Sequence, residues 1–269
     1  MTSNSNKCRV CGSSTRDFAR KKILKKYDVA YFQCTSCGHI QSEQPYWLEE
    51  AYTGLSFKRD TGMVDRSVWT AKAVVALAYK RDLSNETPML DWGAGTGMFV
   101  RLCRDHGLNY FYSDRYAANI FALGFEAPAL EKNRYKVISA FEVAEHFPDP
   151  LADFAQILDL SPDYFIFSTL LYKDQGPGWW YVLEDGQHVA FYTRKSLEII
   201  AHKHGYHLAT DDCGTHLFSR IKIGDRLVHS LCKTSKRDRW SAKYRKKNGS
   251  RIVSDYESIA RQMSTPDAQ

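Results

Sequence analysis

A run of alternating glycines constrains the fold of this chain more than any other feature of its sequence. Residues 90–97 are Leu-Asp-Trp-Gly-Ala-Gly-Thr-Gly, and the apolar residues on either side predict a strand, a tight turn and a helix. Gly93, Gly95 and Gly97 let the backbone pass close beneath a ligand, and the helix N-terminus would present free N–H groups to it. Several kinds of cofactor site share such a run, so it predicts a cofactor-binding α/β fold without naming the cofactor.

Strand and helix patterns alternate along the chain after Pro88. The predicted strands are residues 89–92, 110–113, 137–141, 164–170, 206–209 and 216–223. The predicted helices are residues 63–82, 98–106, 116–123, 151–160 and 194–204. This alternation is typical of a doubly wound sheet of parallel strands. Only a short connection joins the last two strands, so we expect them to pair antiparallel at the sheet edge.

The composition is that of a globular chain. Of its 269 residues, 43% are hydrophobic and 25% are charged, which is enough for a sizeable core. No apolar run approaches the ~20 residues that span a bilayer, and residues 1–7 are polar, so we expect neither a membrane span nor a signal peptide. We therefore expect a cytoplasmic protein, a reducing setting in which metal binding by its seven cysteines is favoured over disulfides. Cys103, Cys213 and Cys232 have no ligand spacing and would be buried or inert thiols.

Two cysteine pairs near the start of the chain have the spacing of a metal site. Cys8 and Cys11 form one pair, and Cys34 and Cys37 form the other, each with two residues between the cysteines. Four thiolates at this spacing are typical of a structural Zn2+ ion with no open coordination position. Four free or oxidised thiols are the alternative. Residues 1–44 are too few to bury a core, so we expect zinc to stabilise them as a zinc-ribbon-like domain.

Two acidic residues near strand ends narrow the choice of cofactor. Asp91 lies inside the glycine run, where it would crowd a pyrophosphate but suit the positively charged amino group of an amino acid moiety. Asp114 ends the next predicted strand, where a carboxylate can accept hydrogen bonds from a ribose diol. Capping a helix is the alternative role for Asp114.

With these residues in place, the chain resembles the class I S-adenosylmethionine-dependent methyltransferases. The resemblance lies in residues 90–97, in Asp114, and in residues 140–150, Ala-Phe-Glu-Val-Ala-Glu-His-Phe-Pro-Asp-Pro. Residues 188–197 and the cysteine pairs are similar to segments of nucleotide-sugar C-methyltransferases that carry an N-terminal zinc-binding domain. The resemblance implies a Rossmann-like class I methyltransferase sheet with an antiparallel edge strand, S-adenosylmethionine as methyl donor, and structural zinc.

The chain departs from that family in two places, one near the adenine of the donor and one at the C-terminal end. Only 22 residues separate Asp114 from Val137, so the family's acidic residue near the adenine has no clear counterpart, and Glu126 is the nearest candidate. A short basic tail stands where the C-methyltransferases have a large C-terminal domain. This difference favours methylation of a sugar oxygen over a sugar carbon.

Methyl transfer usually requires a base to remove a proton from the acceptor. A base with a pKa near neutrality is best suited, which favours histidine. His188 matches the position of the base in the C-methyltransferases that the chain resembles, and His146 is the second candidate. Glu145 would orient His146 or a substrate hydroxyl, and Glu142 would hold the methionine amino group. The alternatives are hydrogen-bonded loop histidines and solvated carboxylates.

Aromatic residues surround these candidates in the sequence. One group would wall the acceptor site or form ordinary core: Trp179, Trp180, Tyr181, Phe191 and Tyr192. A second group precedes the glycine run and would form a lid: Tyr46, Trp47, Tyr52 and Phe57.

The net charge of +6 is concentrated in the tail. Residues 220–251 hold twelve Lys and Arg against two Asp, a local charge of +10. This tail would be a helix or partly disordered, and on a helix one face would carry Arg237, Trp240, Tyr244 and Lys247. Such a face suits the inner, anionic surface of a membrane. RNA phosphates are less favoured, and a solvated tail is the remaining alternative.

These patterns lead to one leading hypothesis with two alternatives. We expect a zinc-ribbon-like domain at residues 1–44, a helical linker or lid at 45–88, a donor-binding methyltransferase domain at 89–223 and a basic tail at 224–269. The leading hypothesis is O-methylation of a nucleotide- or lipid-linked saccharide in surface polysaccharide assembly, with His188 as general base. The alternatives are a methyltransferase acting on RNA or protein, and a non-catalytic scaffold.

Overall fold

The structure is a computed structural model that describes residues 7–53 and 60–264. The chain divides into two compact units. Of the described residues, the first contains 7–53, 140–159 and 163–228, and the second contains 60–139, 160–162 and 229–264. Phe57, which was predicted to belong to a lid, lies outside the described residues.

The regular elements follow in chain order. The strands are β1 (Thr15–Ile23), β2 (Tyr27–Cys34), β3 (Ile40–Ser42), β4 (Pro88–Trp92), β5 (Asn109–Ser113), β6 (Val137–Ala140), β7 (Tyr164–Ser168), β8 (Ala190–Phe191), β9 (His207–Thr210) and β10 (Thr215–Ser219). The helices are α1 (Leu48–Tyr52), α2 (Met63–Lys80), α3 (Met98–Asp105), α4 (Pro150–Leu158), α5 (Arg194–Lys203), α6 (Asp225–Cys232), α7 (Thr234–Asn248) and α8 (Ile252–Ser264).

The first unit contains an antiparallel sheet in the order β1-β2-β3-β8. Its last pairing places Ile40 opposite Phe191, so the strand that follows the cysteines lies beside the strand that follows His188. Side chains of β1, β2 and β8 meet Trp47 and Trp179 in one buried cluster. Burial of these apolar side chains, rather than the cysteines alone, therefore holds this sheet together.

The predicted antiparallel edge is also found in the first unit. β10 pairs antiparallel with β7 on one side and with β9 on the other. All five residues of β7 and of β10 are buried, as expected for strands covered on both faces. Gly205, with φ of +74°, ends α5 in the left-handed conformation that its position after a helix predicts.

The second unit contains the parallel strands that the alternating pattern predicts. β4 pairs in parallel with β5 and with β6, and Leu90 lies opposite both Phe111 and Ile138. The glycine run follows β4 and leads directly into α3, which packs against α2. The strand, glycine turn and helix are thus confirmed.

The helix predicted at residues 116–123 is wrong. These residues form a series of bends, because their N–H groups bind acceptors outside a helix. Tyr116 and Ala117 donate to Oδ1 of Asp114, and Ile120 and Phe121 both donate to the carbonyl of Thr96. The segment is therefore held against the glycine turn in place of an i to i−4 ladder.

The basic tail is helical, but the face with Arg237 and Tyr244 is not free to meet a membrane. Arg237 and Tyr244 are buried, and the Arg237 guanidinium lies 5.8 Å from the ring centre of Trp69 on α2. α7 therefore packs against α2 with the face that we expected to meet a membrane. Within residues 7–53 and 60–264, no helix has the length and apolarity needed to cross a bilayer.

A buried ion pair ties α8 to α3. Arg104 donates to both carboxylate oxygens of Asp255, at 2.8 and 2.6 Å, and Arg101 donates to one of them at 2.7 Å. The side chains of Arg104 and Asp255 are each only 4% exposed. Because neither group can be rehydrated when its partner is lost, this pair is costly to break.

We expect Asp255→Asn to lower the free energy of unfolding by about 3–5 kcal/mol, since it leaves a buried guanidinium without its counter-charge. Urea unfolding followed by circular dichroism measures the change. The control is Asp82→Asn, which removes an exposed ion pair with Lys247 and should leave stability unchanged. Equal stability of both variants and the wild type would contradict the role given to Asp255.

Candidate functional site

The glycine turn keeps an open space above its backbone. Gly93, Gly95 and Gly97 have φ of +74°, +55° and +81°, the left-handed region that disfavours other residues. A Cβ placed on Gly95 would meet nothing within 4 Å, whereas one on Gly97 would lie 2.6 Å from Oδ1 of Asn119. Gly97 is therefore required by packing, and Gly95 leaves room for a ligand to approach.

Asp114 holds this turn in place. Its Oδ2 accepts a hydrogen bond from the N–H of Gly95 at 2.8 Å, and its Oδ1 accepts from Tyr116 and Ala117 at 2.7 Å. No helix follows it, so the helix-capping alternative is wrong. The side chain is partly exposed, which leaves its remaining lone pairs available to a ligand.

Asp91 is a buried acid. Its side chain is enclosed, with the residue 4% exposed, and Oγ of Ser139 donates to its Oδ1 at 2.5 Å. Burial raises the pKa of Asp91 to about 8, and the charge of Asp114 adds to the rise. Asp91 is therefore protonated at neutral pH until a positive group comes close enough to favour its charged form.

Glu142 lies in the first unit, directly after β6. It is exposed and has φ of +57°, a strained conformation for a residue with a side chain. Oγ of Ser168 donates to its Oε1 at 2.6 Å and accepts from its backbone N–H at 2.7 Å. Ser168 is a contributor that the sequence did not single out, because a serine that ends a buried strand has no distinctive spacing.

Glu145 is fully buried, and only one of its two carboxylate oxygens accepts a hydrogen bond among the described residues. It lies in a 3-10 turn, Ala144–His146, and its Oε1 accepts a hydrogen bond from the Tyr181 hydroxyl at 2.7 Å. Its Oε2 has no hydrogen-bond partner among the described residues. Burial raises the pKa of Glu145 to about 7, and the charge of Glu142 adds to the rise.

Two histidines adjoin Glu145 with their Nδ1 atoms fixed. Nδ1 of His188 lies 2.9 Å from the Tyr181 carbonyl, and Nδ1 of His146 lies 3.1 Å from the Gln187 carbonyl. A carbonyl can only accept, so His188 donates from Nδ1, and in the neutral ring the lone pair lies on Nε2. Nδ1 of His146 also faces the Tyr52 hydroxyl, which can donate or accept. Burial lowers the pKa of both histidines, and at His188 the charge of His146 adds to the lowering.

The three candidates therefore form one cluster, which we call the Glu–His–His cluster: Glu145, His146 and His188. Their ligand atoms all lie within 4.8 Å of one another. Tyr52 on α1 reaches the cluster, with its hydroxyl 3.0 Å from Nδ1 of His146. Gln187, which we did not single out, donates to the carbonyl of Ala51 and so fastens α1 to the same loop.

Most of the aromatic residues expected around the acceptor are core instead. Four are buried: Trp179, Tyr181, Phe191 and Tyr192. Trp180 alone of this group is exposed, at 66%, and it lines an open groove of about 550 Å3 with Lys173 and Gln175.

The four cysteines converge as their spacing predicts. The sulfur of Cys8 lies 3.7 Å from that of Cys37, and the sulfur of Cys11 lies 3.4 Å from that of Cys34. The N–H groups of Val10, Ser36 and Cys37 point at these sulfurs, each at 3.4 Å. Such N–H donors stabilise thiolates, so the donor set fits a tetrahedral metal ion.

Comparison with known proteins gives the family. The family model of the methyltransferase domain matches residues 65–210, more than half of the chain. No curated protein matches. Among solved structures, magnesium protoporphyrin IX methyltransferase from Synechocystis PCC 6803 with bound SAH is 14% identical, with a TM-score of 0.42 over 64% of this chain and 90% of that one. A SAM-dependent methyltransferase from Thermotoga maritima is 11% identical, with a TM-score of 0.40 over 63% and 97%.

The chain therefore belongs to the methyltransferase domain family. It is an S-adenosylmethionine-dependent methyltransferase with the Rossmann-like α/β fold that the glycine run and the parallel strands predict. The family makes it an enzyme rather than a scaffold.

The raised pKa of Asp91 predicts how stability depends on pH. A carboxyl group that is harder to ionise when folded stabilises the protein at low pH, and this contribution is lost as pH rises from its ordinary value of 3.8 to about 8. In the wild type, Asp91 should make the free energy of unfolding fall by up to ~1.4 kcal/mol per pH unit over this range, and Asp91→Asn should remove that fall. Urea unfolding of both proteins between pH 5 and 8 tests this, and parallel curves would contradict it.

Proposed function

We propose that this methyltransferase methylates a hydroxyl group of a nucleotide- or lipid-linked saccharide in surface polysaccharide assembly. The observation that carries the proposal is the Glu–His–His cluster, because a buried neutral histidine with a free Nε2 is what removal of a hydroxyl proton requires. The exposed Trp180 supports a sugar acceptor, since sugar rings stack on aromatic faces.

On the donor side, the glycine turn and the two aspartates each receive a part of S-adenosylmethionine. Asp114 would accept hydrogen bonds from the ribose diol through the lone pairs that its backbone contacts leave free. Asp91 or Glu142 would meet the methionine amino group, whose positive charge would favour the ionised carboxylate. S-adenosylmethionine supplies an electrophilic methyl group, and these residues only bind and orient it.

On the acceptor side, His188 would remove the hydroxyl proton at Nε2. The Tyr181 carbonyl would stabilise the imidazolium that forms, since it accepts a hydrogen bond from Nδ1–H. Glu145 would act as a positioning residue through its bond to Tyr181. His146 remains the alternative base.

The acceptor class is tested by incubating the full chain with S-adenosylmethionine and separate panels of nucleotide-linked sugars, lipid-linked saccharides, RNA and protein. Methylation of a saccharide, detected by mass spectrometry as added methyl groups, is the expected result. Methylation confined to RNA or protein would overturn the proposal.

Asp114→Ala should weaken binding of S-adenosylhomocysteine by ~1–3 kcal/mol, the cost of losing hydrogen bonds to a charged group. Isothermal titration calorimetry measures the affinity directly. Glu131→Ala, which removes an exposed carboxylate paired with Arg134, is the control. An unchanged affinity in Asp114→Ala would leave Asp114 as a support of the glycine turn alone.

His188→Ala should lower kcat roughly 10²–10⁴-fold, the usual contribution of a general base, and leave the affinity for S-adenosylhomocysteine unchanged. His207→Ala, at an exposed histidine, is the control. Near wild-type turnover in His188→Ala would shift the role to His146 or to no protein base.

We also propose that the four cysteines bind structural zinc. Cys34→Ser should then lose zinc and loosen β3, which pairs with β8 beside His188, so turnover should fall more than donor affinity. Metal analysis and the two kinetic constants measure this, with Cys232→Ser as control. Zinc content unchanged in Cys34→Ser would contradict the site.

The tail is proposed as a peripheral contact with an anionic membrane. Because Arg237 and Tyr244 are buried, the contact would use the exposed cations on the other side of α7: Lys236, Arg239, Lys243 and Lys246. Replacing these four with Gln should abolish binding to vesicles that contain phosphatidylserine. Loss of RNA binding instead would favour the RNA alternative.

A further inference from the structure

The Glu–His–His cluster has the composition of a metal site as well as that of an acid–base site. We propose that Glu145, His146 and His188 bind a divalent transition-metal ion of the Zn2+ and Co2+ class, through Oε2 of the carboxylate and Nε2 of each imidazole. Two nitrogens and one oxygen suit such ions and leave at least one coordination position open. This site is separate from the four cysteines, which offer sulfur alone.

The hydrogen bonds around the two histidines are those of metal ligands. A histidine that binds a metal usually donates its other ring N–H to a carbonyl or carboxylate, which fixes the ring and its tautomer. His188 does this toward the carbonyl of Tyr181, and Nδ1 of His146 lies 3.1 Å from the carbonyl of Gln187. Both rings are therefore oriented, with Nε2 as the atom that is left to coordinate.

The carboxylate provides an independent observation. Oε1 of Glu145 is held by the Tyr181 hydroxyl, while Oε2 is buried and has no partner among the described residues. A buried, unsatisfied carboxylate oxygen is costly, so its presence needs an explanation. A bound cation would satisfy it and would offset the negative charge that burial disfavours.

The distances require a small closure around the ion. One ligand atom from each of the three residues lies within 4.8 Å of the other two, whereas ligands bound at ~2.1 Å in a tetrahedral zinc site are about 3.4 Å apart. Each atom would have to move inward by less than about 1 Å. Of the three residues, half-buried His146 has the most room to adjust.

Metal binding and proton removal use the same atom. Nε2 of His188 cannot coordinate an ion and accept a proton at once, so an occupied site should inhibit methyl transfer if His188 is the base. The inhibition rests on the proposed function, but the binding of the metal does not.

The binding test uses the full chain with zinc in its cysteine site, titrated with Co2+. We expect one equivalent to bind with weak visible d–d bands and without the intense ultraviolet charge-transfer bands of cobalt–thiolate bonds. Glu145→Gln keeps an acceptor for Tyr181 but should weaken Co2+ binding at least ~10-fold. His207→Ala should bind Co2+ like the wild type. No binding beyond the cysteine site, or equal affinity in Glu145→Gln and in His188→Gln, would overturn the proposal.

A parallel activity measurement separates this proposal from the proposed function. Inhibition by Co2+ at the concentration that fills the site supports both. Binding of Co2+ that raises turnover supports the site and overturns His188 as base. If the wild type binds no Co2+ at this site while His188→Ala abolishes turnover, the metal site is overturned and His188 remains the base.

Discussion

The pairing of β3 with β8 is the contact that holds the loop between β7 and β8, which carries His188. It comprises only two residue pairs, but hydrogen bonds extend it in both directions. Ser42 donates to the carbonyl of Val189, and the N–H of Val189 donates to the carbonyl of Glu145. The Thr193 hydroxyl donates to the carbonyl of Cys37 at 2.6 Å. The segment that carries the cysteines thus holds the backbone next to His188 and, through it, the backbone of Glu145.

This arrangement gives a cysteine-rich segment a role in an enzyme whose proposed mechanism uses no cysteine. A two-residue strand has too few hydrogen bonds to hold a loop by itself. The capping box at Thr193 adds rigidity where the loop enters α5, and Gly38 approaches so closely that a Cβ there would lie 3.0 Å from the Thr193 methyl carbon. The loop between β7 and β8 is long, and these contacts offset part of the conformational entropy that its ordering costs.

Local patterns predicted the parts of the protein that local chemistry decides. The glycine turn, the cysteine cluster, the parallel strands and the antiparallel edge all follow from spacing and connection length. The bends at residues 116–123 do not, because the carbonyl of Thr96 competes for their N–H groups from a distant part of the sequence. The same limit applies to α7, where helical spacing identified the face of Arg237 and Tyr244 but could not tell that α2 covers it. Nor could spacing show that Phe191 and Tyr192 fill the core rather than wall an acceptor.

The burial of Asp91 affects which cofactor it favours, and the sequence does not reveal that burial. Asp91 is enclosed by its own unit, so its carboxyl keeps a proton at neutral pH although an acidic residue beside a glycine turn would ordinarily be charged. Ionising it without a partner would cost free energy in proportion to the raised pKa. A ligand that brings a positive charge to this position recovers that energy, whereas a neutral or anionic ligand does not. Selectivity for a cofactor with an ammonium group over a dinucleotide can therefore arise from burial of one carboxyl, before any contact with the adenine or the ribose is made.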